Sequence, residues 1–93
     1  MTITTLNCLD SRKSFGGKAQ VITTDNGKYL RSYSTIVCYL DDFGIFHKTW
    51  GGYSATTMRH VNSFLDTFGI NGGGKSWWDS LKTEKELADT MWL

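Results

Sequence analysis

The chain has 93 residues, enough for one domain and too few for two. Ten Lys and Arg against nine Asp and Glu leave a net charge of +1, which offers no bulk attraction to nucleic acid or to a membrane. Apolar residues at 40% and aromatics at 14% supply a packed core and exclude a disordered chain.

Met1–Leu9 carries three Thr and one Ile, β-branched residues that favour an edge strand or extended arm. Asp10–Gly17 is polar, ends in paired glycines and reads as a loop. Lys18–Thr24 alternates as a strand does. Asp25-Asn26-Gly27 follows, and Asn-Gly predicts a type I′ hairpin turn. Lys28–Leu40 is the returning strand, bent near Ser32-Tyr33-Ser34. Its apolar second half, Thr35–Leu40, belongs in the middle of a sheet. After a turn at Asp41–Gly44, Ile45–Trp50 forms the next strand, with Ile45, His47 and Thr49 opposite Phe46, Lys48 and Trp50.

Beyond Gly51-Gly52 the period changes from two to 3.6. Met58, Val61, Phe64, Leu65 and Phe68 make the stripe of an amphipathic helix over 54–68, with Ser54 as N-cap and Gly69 as its left-handed end. Residues 71–76 are a glycine-rich connector. Ser76–Leu81 can make a helical turn, and Thr83 with Glu86 has the spacing of a capping box for a short carboxy-terminal helix. The predicted fold is one α+β domain: a three- to four-stranded antiparallel meander, with the helix on one face and a short terminal helix. The helix stripe is expected to bury against Val21, Ile36, Cys38 and Leu40.

Chemistry-bearing motifs are few. Gly69–Ser76 matches G-x-x-x-x-G-K-[ST], but a phosphate loop needs a strand before it and a long helix after it. A helix precedes this one and only seventeen residues follow, so Lys75 is read as part of a connector. Cys8 and Cys38 stand thirty positions apart and fit reduced thiols better than a disulfide framework. A zinc site from Cys8, Cys38, His47 and His60 would lack the paired spacing that zinc ligands show. His60 has no identifiable nucleophile and acid to serve, and Asp41-Asp42 fits turn chemistry. The expectation is no enzyme, no metal and no cofactor. Two aromatic features stand out. Tyr29, Arg31 and Tyr33 alternate along one strand, a pattern suited to stacking or to cross-strand packing. Trp77-Trp78 sits on a helical turn that cannot hide both indoles.

Three stretches carry a resemblance: Ser11–Ala19 (SRKSFGGKA), Leu30–Tyr39 (LRSYSTIVCY) and Tyr53–Leu65 (YSATTMRHVNSFL). Together they resemble a family of small proteins from bacteriophages and mobile elements of Gram-positive bacteria. Gly16 stands where that family has an aromatic residue. The resemblance implies an accessory phage protein without enzymatic residues. By category it implies a cytoplasmic inhibitor that binds a host defence protein by occlusion, in the manner of an anti-CRISPR protein on a Cas effector. Tyr53, Arg59, Trp77 and Trp78 are the expected protein-binding anchors, because Trp, Tyr and Arg carry most interface energy. The alternative is a small nucleic-acid-binding regulator working through Arg31, Lys48 and Arg59. No membrane contact is expected: Met1–Asp10 lacks the basic start and apolar block of an export signal, and no apolar run is long enough to span a bilayer.

Overall fold

The computed structural model describes residues 1–6 and 17–84. In chain order these form β1 (Thr2–Thr5), β2 (Ala19–Thr24), β3 (Gly27–Ser32), β4 (Thr35–Asp41), β5 (Phe46–Lys48), α1 (Ala55–Phe68) and α2 (Lys75–Ser80). The strands make one antiparallel sheet in the order β1-β2-β3-β4-β5. The α+β meander expected from the sequence is present, with more strands than the three or four anticipated.

The helix forms where the period changes. Ser54 Oγ accepts from the Thr57 N–H at 3.1 Å, and Gly69 closes the helix at φ 68, with Ile70 N donating to Leu65 O at 2.9 Å. Each bond satisfies a backbone group that the helix end would leave unpaired. Met58, Val61, Phe64 and Leu65 are buried with Ala19, Val21, Leu30, Val37 and Cys38 beneath them. Phe68 and Leu40 pack at the margin of this cluster. Burial pushes the Cys38 thiol up, so its reactive thiolate is suppressed.

Four local expectations change. Lys28–Leu40 is two strands, because Ser32–Thr35 is a tight reversal and not a bend: Thr35 pairs back with Ser32. Tyr33 therefore sits in the turn, away from Tyr29 and Arg31. The first hairpin turns at Asp25-Asn26, with Gly27 already paired to Thr24. Among the described residues Tyr33 is the only non-glycine at positive φ, so Asn26 does not take the left-handed conformation of a type I′ turn. Ile36 faces away from α1. The register shifts between Leu30 and Arg31, leaving Val37 as an extra residue on β4; Val37 and Cys38 both join the helix-side core, while Ile36 clusters with Ile22, Tyr29 and Tyr39 behind the sheet. Finally, Lys75 and Ser76 belong to α2, so the connector is shorter than 71–76. The predicted carboxy-terminal helix lies mostly outside the described residues, and its expected cap, Thr83, instead bridges Lys48 in parallel at the β5 edge.

Among the described residues no helix is long and apolar enough to cross a membrane.

Candidate binding surface

The end of the sheet where β3 turns into β4 meets the first two turns of α1. Tyr33 makes that turn at φ 57, a conformation that bulky side chains rarely adopt. Its N–H donates to Lys18 O at 2.7 Å, which anchors the turn to the start of β2. Tyr33 is 49% exposed, with Lys18 Nζ 5.5 Å from its ring centroid and the His60 ring at 5.7 Å. Beneath it, Ser32 Oγ lies 2.7 Å from His60 Nδ1 and 3.1 Å from Thr57 Oγ1. Ser32, Thr57 and His60 are all buried, so this pairing of hydroxyl and imidazole is closed to a substrate carbonyl and fastens the turn to α1. Burial, helped by the Arg59 charge, pushes the His60 pKa down and so favours its neutral ring.

Tyr53, immediately before the Ser54 cap, is 41% exposed, and Lys75 Nζ lies 5.4 Å from its ring. Lys75 also pairs with Asp79 at 2.6 Å across one turn of α2. The lysine of the phosphate-loop match is thus engaged with an acid and an aromatic ring on a six-residue helix. Arg59 is half-buried on α1 beside His60 in the chain.

The remaining anchors separate. Trp77 is half-buried against Phe46, ring centroids 5.4 Å apart. Trp78 is 1% exposed and belongs to the core; its Nε1 donates to Gly52 O at 2.8 Å. That corrects its expected role as a surface anchor. The reason is helical geometry: adjacent residues point about 100° apart, so docking α2 by one indole half-covers the other. Lys48 is corrected likewise. Its stem is buried under Trp78, with Nζ 4.8 Å from that ring and donating to Trp78 O at 2.8 Å. Facing the helix side of the sheet, it is unavailable to phosphate. Arg31 lies half-buried on the opposite face, bonded to the Gln20 side-chain oxygen. Arg31, Lys48 and Arg59 therefore do not share a surface. Cys38, His47 and His60 also lie apart, and Cys8 is outside the described residues.

A second cluster was not legible as a unit. His47 stacks on Tyr39 at 4.4 Å, and Tyr39 on Tyr29 at 4.9 Å. His47 Nε2 meets Asp41 Oδ2 and Nδ1 meets Glu84 Oε2, each at 2.8 Å. Desolvation lowers the affinity of His47 for its proton, but these two carboxylates outweigh it and raise its pKa. The His47 bond, aided by N–H groups of Ile45 and Phe43, lowers that of Asp41. A raised histidine contributes stability that is complete below its ordinary pKa of about 6.5 and is lost as pH rises through the folded value. His60 has the opposite sign: its lowered pKa makes stability fall as pH drops below about 6.5. An NMR titration of the two rings is expected to find the His47 midpoint above that of His60. His47→Gln should remove the stability loss on the alkaline side and leave the acid-side loss from His60.

Residues 2–80, most of the chain, match the family of unknown function DUF8033, and the chain belongs to that family. No curated protein and no solved structure matches it.

Proposed function

We propose that this chain is a small non-catalytic binding protein that occupies a partner macromolecule through Tyr33, Tyr53 and Arg59. Tyr33 carries the reading. Holding a non-glycine residue in the left-handed region costs about 1–3 kcal/mol, and glycine would make the same turn without that strain. The fold keeps a tyrosine there and leaves the residue half-exposed beside an amine. Strain retained at an exposed aromatic is how a contact residue looks, since Tyr gives rigid, amphipathic area to an interface. The amine of Lys18 beside Tyr33, and the charge of Arg59 on α1, suit a partner surface with acidic rims.

The partner class comes from the resemblance to phage and mobile-element accessory proteins: a host defence protein, blocked by occlusion, with a Cas effector the first to test. Nucleic acid is the weaker partner, because Lys48 is buried and Arg31 is held by Gln20. Titration against a guide-loaded Cas effector, duplex DNA and single-stranded DNA at two salt concentrations distinguishes them. Binding to the effector with a shallow salt dependence is the expected result. Tight binding to naked DNA that falls steeply with salt would replace this reading with the nucleic-acid one. Binding to none of the three would remove the Cas effector as partner.

Tyr33→Gly separates fold from function at this turn. Relief of strain should offset the lost ring contacts, leaving stability within about 1 kcal/mol of the parent. Partner affinity should drop by about tenfold or more, as for loss of an interface anchor. A large fall in melting temperature would instead make Tyr33 a structural residue.

A further inference from the structure

The two edges of the sheet are treated differently. At the β5 edge the chain itself runs alongside: Thr83 bridges Lys48, and the Glu84 N–H donates to Lys48 O at 2.6 Å. The β1 edge has no such cover among the described residues, and all four of its residues are exposed. Leu6 N donates to Ala19 O at 2.8 Å, which fixes the alternation: Thr2, Thr4 and Leu6 turn their backbone groups toward β2. The N–H and C=O of Ile3 and Thr5 therefore point outward. No lysine, proline or bulge blunts this edge, which is the usual protection against a further strand.

Beside the same edge lies an open groove of about 400 Å³ on the helix side of the sheet. Thr4, Leu6 and Val21 form its strand wall, and Thr67 and Phe68 at the end of α1 form the other. Among the described residues Lys28 is the one charged side chain lining it, its Nζ 5.7 Å from the Phe68 ring. A pairing edge with an adjoining side-chain groove is the arrangement by which domains take up an extended peptide: backbone bonds supply affinity and alternate side chains supply selectivity.

We propose that the β1 edge is a strand-addition site for an extended segment of a partner protein, one presenting an apolar residue and a glutamate two positions apart to the helix-side groove. The apolar side chain rests on Leu6, Val21 and Phe68, and the carboxylate answers Lys28. With only four residues in β1, the segment engages about four of its own. This site shares no residue with Tyr33, Tyr53 or Arg59 and stands or falls without them.

The test uses the full chain and two acetylated, amidated hexapeptides, Ser-Thr-Leu-Thr-Glu-Thr and the same peptide with lysine for glutamate. Amide shifts are followed by NMR. The glutamate peptide should bind saturably, move the Ile3 and Thr5 amides most, and bind better than the lysine peptide. Thr5→Pro removes an outward N–H without touching the β1–β2 ladder, so it should weaken binding about tenfold or more at unchanged melting temperature. Lys28→Glu should reverse the preference between the peptides. Absence of shifts at Ile3 and Thr5, or binding indifferent to Thr5→Pro, overturns the proposal. So does a dimer by sedimentation that Thr5→Pro converts to monomer, since the edge would then belong to a second copy of the chain.

Discussion

Phe64→Ala is expected to lower the stability of the chain by about 3–5 kcal/mol, the range for removing a fully buried phenylalanine. Phe64 is completely buried at the centre of α1, its ring 5.0 Å from Phe68 and within the cluster that includes Leu30 and Cys38. The loss has two sources, transfer of the ring to water in the unfolded chain and the cavity left between helix and sheet. Domains of this size hold only about 5–15 kcal/mol in all, so the variant should melt about 12 °C or more below the parent. Thermal melts and urea titrations of both proteins measure this. An unchanged melting temperature would mean that α1 presents another face to the sheet.

Gly27→Ala should be about as damaging for a different reason. Gly27 has φ 150 and sits against β4, so that a Cβ there would overlap Leu40 O and come within 3.0 Å of Asp41 Cα. Those are backbone atoms of a central strand and cannot rotate aside. Relieving the overlap would pull β3 from β4 at the Gly27–Asp41 pair and disturb the turn that Asp41 organises by accepting from Phe43 N and Ile45 N. Combined strain and lost pairing should cost about 3 kcal/mol or more. Asp25→Ala in the neighbouring exposed turn is the control, expected to change stability by less than about 0.5 kcal/mol. Equal stability of the Gly27→Ala protein and its parent would show that β3 and β4 are not so closely apposed.

The helix was legible because its signals agree: Ser54 and Gly69 bracket a stripe with helical spacing, and no residue between them argues otherwise. The strands were legible in kind and less so in number. Lys28–Leu40 looked continuous because Ser32-Tyr33-Ser34 contains neither Gly nor Pro, and a tyrosine at positive φ is not something composition announces. The small polar residues flanking Tyr33 were the available signal. Ile36 was misplaced because one extra residue in β4 inverts which side chains face α1. Of the surface, Tyr53 and Arg59 could be chosen by residue type and position. Tyr33 and Lys18 could not, since only the turn brings them together. Trp78 and Lys48 failed as surface residues because α2 folds back onto β5, a contact that no local pattern encodes. The His47 cluster depends on the same return, which places Glu84 against a strand 37 positions away.

The binding reading rests on Tyr33, Tyr53 and Arg59. It is tested most directly by placing a photo-crosslinking amino acid at Tyr33, at Tyr53 or at Phe43 and irradiating host cells that express each variant. Phe43 is 85% exposed but lies in the turn before β5, so it controls for exposure alone. The expected result is one adduct of the same partner from positions 33 and 53, lost when Arg59→Ala is added, and none from position 43. Adducts from position 43 alone, or none from 33 and 53, would contradict the account.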